Sequence, residues 1–176
     1  ATIDDNGTPS DPSDDFVLYS PNADYFGPDS FTYRMSDGST TDTATVTLTI
    51  TEVNDAPVVT DETLQTRINE SIDFTLADLL AGDSPGPDNE SDQTIDIPLP
   101  LPATTTQGGT IVDNGNGTFT YTPPVDFVGE DSFTYNVVDD GTTAGVADPQ
   151  ATLGTVTIDV RPINELVAFT LRAVNP

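Results

Sequence analysis

The side chains in this sequence that could do chemistry are almost all carboxylates. Asp and Glu total 30 residues and Lys and Arg total 4, which gives a net charge of −26 at pH 7. The chain has no His, Cys or Trp, and its four basic residues are all Arg. Disulfides, thiolate nucleophiles, zinc–thiolate clusters, imidazole bases and Schiff-base lysines are therefore excluded. So many oxygen donors are suited to hard cations.

The composition also excludes two classes of partner. Binding to nucleic acid displaces counterions with Lys and Arg, which four scattered Arg residues cannot do. The sequence contains no run of 18 apolar residues, so we predict no membrane insertion in this segment. Leu, Ile, Val and Phe make up about 24% of the chain and cluster in short alternating runs, which favours a folded protein over a disordered one.

An internal repeat gives the organisation of the chain. Residues 19–37 and 121–139 are identical at ten of nineteen positions, at an offset of 102. Matches on either side, at offsets of 108 and 110, pair 1–7 with 109–115 and 46–55 with 156–165. Because the offset changes only at predicted turns, the pattern indicates a structural repeat of about 100–110 residues.

This repeat predicts three parts of unequal completeness. Residues 1–53, the first unit, correspond to the C-terminal half of a repeat, and residues 54–163, the second unit, to a whole one. Residues 164–176 would begin a following domain. Because half a sandwich would expose its core face, we expect the natural chain to be longer at both ends. Missing strands supplied by a partner chain are the alternative.

The elements that must position the carboxylates are strands. Apolar and polar residues alternate, as at Phe31, Tyr33, Phe133 and Tyr135, whose rings we expect in the core rather than against a ligand. We also assign residues 74–83 to a strand and its end, rather than to a helical turn. The second unit then has seven predicted strands, approximately at 57–61 together with 64–67, 71–79, 93–99, 109–113, 117–122, 131–138 and 152–160, with a hairpin turn at 114–117. The predicted fold is all-β, with tandem β-sandwich modules of which the first is incomplete.

Because antiparallel strands alternate in direction, an odd number of them makes the chain enter the module at one end and leave at the other. We call these two ends of the sandwich its first and second pole. The first pole of the second unit then holds Asn54-Asp55 and the loops 82–92 and 139–151. The second pole holds the Asn69-Glu70 turn, the loop 123–131 and Asn164-Glu165. In the first unit, Asp24 and Asp29 fall beside Glu52 and the linker, so carboxylates of two modules converge on each linker.

Such convergence favours calcium. Ca²⁺ takes six or more oxygens from short Asp side chains and backbone carbonyls, whereas Mg²⁺ prefers a tighter octahedron and keeps its waters. The alternative for any single residue is that Asp is common in turns, where it caps backbone amides.

The segments FTYRMSDG and VTLTITEVNDAPV, with their counterparts DFVGEDSFTYNVVDDG and VTIDVRPINE, resemble the cadherin-like repeats of large bacterial surface and secreted proteins. The resemblance covers 1–165, and its most specific part is VNDAP at 53–57. It implies Greek-key, Ig-like sandwiches, an extracellular or cell-surface location and shared Ca²⁺ ions. Its ligand positions fall on Asn54, Asp55, Asp24, Asp126, Asp37, Asp139, Glu70, Asp83 and Asp88.

The sequence departs from the animal motif at several positions. Phe26 and Val128 stand where that motif has a second acid, and Asp29 and Asp131 are the candidate substitutes. The second linker has Glu165 and lacks the Pro, so we predict it as the weaker site. The predicted metal ligands are Asp24, Asp29, Glu52, Asn54, Asp55, Glu70, Asp83, Asp88, Asp126, Asp131, Asp139, Asn164 and Glu165.

Three functions compete. The leading prediction is a structural or adhesive spacer of a long extracellular protein, whose linkers are stiffened by Ca²⁺ and whose partners are neighbouring repeats and other cell-surface proteins or glycans. A ligand-binding adhesin module, for a glycan or a protein, would need exposed aromatic platforms, and the chain has no Trp. An enzyme such as a glycosidase is disfavoured, because no carboxylate has an apolar setting that would raise its pKa.

Overall fold

The computed structural model describes residues 1–4, 7 and 15–163, and these are almost entirely strands and turns. The first unit holds β1 (Thr2–Asp4), β2 (Phe16–Leu18), β3 (Gly27–Ser36) and β4 (Thr41–Ile50). The second unit contains β5 (Glu62–Arg67), β6 (Ile72–Thr75), α1 (Leu76–Leu79), a 3₁₀ turn (Asp88–Glu90), β7 (Ile95–Asp96), β8 (Thr110–Asp113), β9 (Thr118–Thr122), β10 (Gly129–Asp139), β11 (Thr142–Thr143), β12 (Val146–Ala147) and β13 (Ala151–Arg161). In this part of the chain no helix is long and apolar enough to span a membrane.

The second unit is a sandwich of seven main strands, as predicted. One sheet has the order β5-β13-β10-β7 and the other the order β6-β9-β8, and the small ribbon β11-β12 lies outside both. The core lies between the sheets, where the ring of Phe74 on β6 is 5.7 Å from that of Phe119 on β9 and 5.8 Å from that of Phe133 on β10. Tyr121 and Leu79 are completely buried in the same core.

The repeat seen in the sequence is also a repeat in strand register. In the first unit Phe31 on β3 is paired with Val46 on β4. In the second unit Phe133 on β10 is paired with Val156 on β13, so the offsets of 102 and 110 describe one antiparallel pair in two copies.

The two copies differ in what covers this pair. Phe133 and Tyr135 are buried, as predicted, and Tyr135 is only 4% exposed. The core prediction is wrong for Tyr33, the counterpart of Tyr135, which is 40% exposed. The physical reason is that the described residues of the first unit include no counterparts of β5, β6 and β7, which complete the sandwich in the second unit.

The expected strand at 71–79 is wrong in its second half. β6 ends at Thr75, which caps α1 through a reciprocal pair of hydrogen bonds with Asp78. The Asp78 amide donates to Thr75 Oγ1 at 3.2 Å, and the Thr75 amide donates to Asp78 Oδ2 at 2.8 Å. This capping box stabilises a helical turn where the alternating pattern predicted a strand, and the helical turn places Leu79 in the core.

Two other expected strands are shorter than predicted. Between 57 and 61 the chain makes only an isolated bridge, from Val58 to Ser84, and the strand expected at 93–99 is reduced to Ile95–Asp96. Pro57 begins the first of these segments and Pro98 lies within the second, and neither has an N–H to donate to a sheet. The predicted following domain at 164–176 lies outside the described residues.

Candidate metal centre

Asn54 joins the loops of the first pole. Its side chain is buried, and its Nδ2 donates to Asp139 Oδ1 and to the carbonyl oxygen of Asp148, both at 2.9 Å. Its Oδ1 accepts a 2.9 Å hydrogen bond from Gln93 Nε2. Its backbone amide donates to Thr143 Oγ1. The linker is therefore fixed to the loops on both sides of it, and both polar groups of the Asn54 side chain are occupied.

Glu90 is the most enclosed acid at this pole, with 2% of its surface exposed. The Asp55 amide donates to Glu90 Oε1 at 2.8 Å, whereas Glu90 Oε2 is buried without a hydrogen-bond partner. A Cβ at Gly86 would fall 1.9 Å from that free oxygen, so the loop needs a residue without a side chain there. The linker and the 82–92 loop thus meet at Glu90.

The sequence argument did not select Glu90, and chose Asp83 and Asp88 from the same loop. The 3₁₀ turn Asp88–Glu90 explains the difference, since it leaves Asp88 exposed and turns Glu90 inward. Pro87, which caps this turn with φ −61°, was the available signal. The sequence also contains no signal for Gln93, because its side chain is turned toward the linker by a contact with Asn54, 39 residues away.

Besides Asp83 Oδ2, four buried oxygens at this pole have no hydrogen-bond partner. They are Asn89 Oδ1, Glu90 Oε2, Gln93 Oε1 and Asp139 Oδ2. Buried acceptors without a donor are costly, so each of these atoms calls for an explanation. Two carboxylates and two amides that present only oxygen are donors of the type that Ca²⁺ uses. The residues present therefore fit a calcium ion.

Electrostatics at the pole also favour a cation. Burial raises the pKa of Glu90, the Asp55 amide opposes this, and the nearby carboxylates of Asp55, Asp139 and Glu52 raise the pKa further. Asp139 is 4% exposed, and its Oδ1 already accepts hydrogen bonds from Asn54, Gly141 and Gln150. Negative charge is thus held in a buried place where water solvates it poorly.

The first unit reaches the same place through two adjoining hollows that share Phe26 and Asn89. Asp24 and Asp55 line one hollow, and Glu52 lines the other together with Glu90. The Glu52 carboxylate accepts from Thr142 Oγ1 at 3.3 Å, and its carbonyl oxygen accepts from the Ala144 amide at 3.1 Å. The structure therefore brings together five of the predicted ligand residues, Asp24, Glu52, Asn54, Asp55 and Asp139.

Asp131 lies elsewhere and is satisfied by the protein itself. It is 1% exposed, and its two carboxylate oxygens accept hydrogen bonds from five donors in the surrounding loop and strands. These donors are Thr105 Oγ1, Thr106 Oγ1, Tyr121 Oη and the amides of Gln107 and Ser132. Burial alone would raise the pKa of Asp131, but the donors outweigh it and hold the pKa below its ordinary value.

Asp29, the counterpart of Asp131 in the first unit, is exposed. It accepts from Tyr19 Oη at 2.5 Å and from the Ser30 amide at 2.7 Å. The hydrogen bond from Tyr19 is the main reason that its pKa is lowered. The hydrogen bond from Tyr19 to Asp29 in the first unit corresponds to the one from Tyr121 to Asp131 in the second unit. Metal ligation by Asp29 stays a prediction.

Asp83 and Asp88 line neither hollow. Asp83 Oδ1 accepts from the Thr60 amide at 2.8 Å, while Asp83 Oδ2 is buried and has no hydrogen-bond partner. Burial raises the pKa of Tyr135 to about 12, and the negative charge of Asp83 adds to this shift. Asp37, which the family resemblance placed beside a metal, closes its own turn by accepting from the amides of Ser39 and Thr40.

The second pole has a different character. Asn69 and Asp126 form a reciprocal pair, in which Asn69 Nδ2 donates to Asp126 Oδ1 at 3.0 Å and the Asp126 amide donates to Asn69 Oδ1 at 2.9 Å. Glu70 lines a groove with Arg67 and Arg161, whose positive charges disfavour a cation. Asn164 and Glu165, the predicted ligands of the second linker, lie outside the described residues.

Among residues 1–4, 7 and 15–163, no three His, Cys, Asp or Glu side chains are grouped as a metal would require. At the first pole two of the four free oxygens belong to amides, which such a grouping does not include. The described arrangement therefore offers a mixed set of carboxylate and amide oxygens rather than a cage of acids.

Comparison with known proteins identifies the second unit. The family model of the cadherin-like domain matches residues 53–157. The chain belongs to the cadherin-like domain family. The model of a bacterial Ig domain matches residues 1–49, which agrees with the register shared by the two units. Cadherin-like domains generally bind calcium, and bacterial cadherin-like and Ig-like domains usually occur in extracellular or surface proteins.

No curated protein matches this sequence. Among solved structures, an endo-fucoidan hydrolase variant of glycoside hydrolase family 107 is 24% identical, with a TM-score of 0.33, over 81% of this chain and 20% of that one. A second endo-fucoidan hydrolase of the same family is 16% identical, with a TM-score of 0.27, over 80% of this chain and 23% of that one. The chain thus spans about a fifth of the length of these proteins.

Proposed function

We propose that this cadherin-like segment is a calcium-binding structural or adhesive spacer of an extracellular or cell-surface protein. The observation that carries the proposal is the set of four buried oxygens without partners beside the linker. Glu90, Asp139, Asn89 and Gln93 would hold the ion from the second unit. Glu52, Asp55 and Asp24 would contribute from the linker and the first unit.

The protein's own residues set what the site can do. Glu52 is bonded to Thr142 and Ala144 of the second unit, so the linker is already docked on the loop that follows β10. The repulsion among Glu52, Asp55, Glu90 and Asp139 opposes this docking. A bound Ca²⁺ would give the free oxygens a partner and offset two negative charges. The junction between the units would then be stiffer with calcium than without it.

A stiff junction suits a protein built from repeats in series. The partners that we propose are the neighbouring repeats of the same chain, and through the whole protein other cell-surface proteins or glycans. We also propose that the segment is not an enzyme. Among the described carboxylates, burial raises the pKa of Glu90, contrary to the expectation from the sequence, but with 2% of its surface exposed Glu90 offers little contact to a substrate.

Thermal melting tests the calcium proposal directly. With a dissociation constant near 10⁻⁴ M and about 1 mM Ca²⁺, one site adds roughly 1.4 kcal/mol to the free energy of unfolding. For a domain of this size we expect the melting temperature to rise by roughly 5 °C in CaCl₂ relative to EDTA. The rise in MgCl₂ should be much smaller, because Mg²⁺ keeps its waters.

The control variant is Asp42→Asn, which removes one exposed charge at the start of β4, whereas the linker follows the other end of that strand. It should keep the full response to CaCl₂ if the response comes from a site rather than from general screening. A melting temperature that is the same in CaCl₂, MgCl₂ and EDTA would overturn the proposed function.

A further inference from the structure

At the first pole, the hydrogen bonds determine which polar atom of each buried side chain is occupied and which is left without a partner. From them we infer that Asn54 is a positioning residue for the calcium site, rather than a ligand, and that Gln93 is an uncharged ligand oriented by it. This inference rests on the proposed function. It differs from the prediction drawn from the family resemblance, which placed Asn54 among the ligands.

The orientation of Asn54 follows from its acceptors. Asp139 Oδ1 and the carbonyl oxygen of Asp148 can only accept, so the Asn54 atom that lies 2.9 Å from both must be the Nδ2 donor. Asn54 Oδ1 must then face Gln93. Because two oxygens would repel each other, the Gln93 atom 2.9 Å away is Nε2. Gln93 Oε1 is left as a buried oxygen with no partner.

The same logic applies to the two carboxylates. Asp139 Oδ1 is occupied by Asn54, Gly141 and Gln150, which leaves Asp139 Oδ2 free. Glu90 Oε1 is occupied by the Asp55 amide, which leaves Glu90 Oε2 free. Residues 54 and 55 of the linker thus determine the free atom of three of the four side chains. Each of these atoms is an oxygen.

Packing holds Asn54 in place. Its side chain is 6% exposed, and Gly141 lies against it so closely that a Cβ at position 141 would fall 1.8 Å from Asn54 Oδ1. Gly141 also donates its amide to Asp139 Oδ1, the oxygen that Asn54 Nδ2 contacts. A change in the Asn54 position would therefore disturb both Gln93 and Asp139.

This arrangement predicts that a charge added at position 93 weakens calcium binding. In Gln93→Glu, Nε2 becomes a second oxygen and faces Asn54 Oδ1, so the side chain must turn away or Asn54 must leave Asp139. In Asn89→Asp, the same amide is replaced by the same carboxylate at a neighbouring position that lines the same hollow. No part of the Asn54 arrangement depends on Asn89.

The experiment is calorimetric titration of the wild-type chain, Gln93→Glu and Asn89→Asp with CaCl₂. We expect Gln93→Glu to bind Ca²⁺ about tenfold more weakly than wild type, in the range found for residues that orient ligands. Asn89→Asp should bind at least as tightly as wild type. If Gln93→Glu binds as tightly as Asn89→Asp, charge alone governs affinity and the inference is wrong. If wild type and Asn89→Asp do not bind Ca²⁺ at all, the proposed function fails instead.

A second variant keeps the test valid if Gln93→Glu does not fold. Gly141→Ala displaces Asn54 without substituting any ligand residue or changing any charge, and it too should weaken Ca²⁺ binding about tenfold. An unchanged affinity in Gly141→Ala would contradict the positioning role.

A metal-free readout completes the design. In EDTA, NMR should show the side-chain amide protons of Asn54 and Gln93 exchanging slowly with solvent in wild type, and rapidly in Gly141→Ala. Rapid exchange of both side chains in wild type would show that the arrangement does not exist in solution.

Discussion

The second unit buries carboxylates in two places, which differ in how many hydrogen-bond donors surround the carboxylate and in the direction of its pKa shift. Asp131 is 1% exposed and accepts hydrogen bonds from five donors, and its pKa is lowered. Glu90 is 2% exposed and has one donor, the Asp55 amide, together with a free oxygen, and its pKa is raised. Equal burial therefore produces opposite electrostatic outcomes in one sandwich.

The comparison separates a carboxylate that the protein itself satisfies from one that is left with a free oxygen. Asp131 anchors the 103–109 loop to β9 and β10, and its charge is stabilised by groups that fold with it. Glu90 and Asp139 are placed with their charge only partly compensated. Proteins retain such a destabilising arrangement at sites where function requires it. We therefore propose the metal centre at the first pole and not at Asp131.

The largest expected effect comes from breaking the satisfied region. Asp131→Asn replaces one carboxylate oxygen with an amide that faces donors such as Tyr121 Oη and Thr105 Oγ1. We expect the free energy of unfolding to fall by about 3 kcal/mol, because charged hydrogen bonds are lost and buried donors are left unpaired. Chemical denaturation should give the same loss in EDTA and in CaCl₂. A loss found only in CaCl₂ would make Asp131 a metal ligand.

A smaller and conditional effect is expected at the unsatisfied region. Glu90→Gln keeps an acceptor for the Asp55 amide and removes one of the repelling charges. In EDTA the free energy of unfolding should therefore not decrease, whereas in about 1 mM CaCl₂ the variant should lack the roughly 1.4 kcal/mol gained by wild type. Denaturation in both buffers checks this. Equal losses in EDTA and CaCl₂ would place Glu90 with Asp131 as a structural acid.

The smallest expected effect is the pH dependence of the satisfied region. Because the pKa of Asp131 is lower in the folded protein than its ordinary value of 3.8, its stabilisation is fully present above that value. It is lost as the pH falls through the lower, folded pKa. The difference in unfolding free energy between wild type and Asp131→Asn should thus stay constant from pH 7 to about 5 and shrink below about 4. A difference that instead grows as the pH falls from 7 to about 4 would show that the Asp131 pKa is raised.

The fold could be predicted from the sequence where the signals are local. Alternation at Phe133 and Tyr135 predicted a buried strand, and the Asn-Gly pairs at 114–117 predicted the hairpin between β8 and β9, where Gly115 and Gly117 have positive φ. The repeat predicted the common register of the two units. The exposure of Tyr33 was not predicted, because alternation alone does not say whether a second sheet covers a strand.

The site could be predicted as a region but not atom by atom. Strand order brought Asp55, Glu52 and Asp139 to one pole. The roles of Glu90 and Gln93 depend on an inward 3₁₀ turn and on contacts across 35 and 39 residues of sequence. Asn54 contacts Asp139 across 85 residues. No periodicity in the sequence records such contacts.

The central claim is that calcium binds at the oxygens left free beside the linker. A ¹H–¹⁵N NMR titration of the whole chain with CaCl₂ tests it residue by residue. We expect saturable shifts, largest at the amides of Asp55, Glu90 and Gly141, and little change at Gln107 and Ser132, which serve Asp131. Shifts that do not saturate by about 1 mM, or that are spread evenly over exposed acidic turns, would contradict the claim.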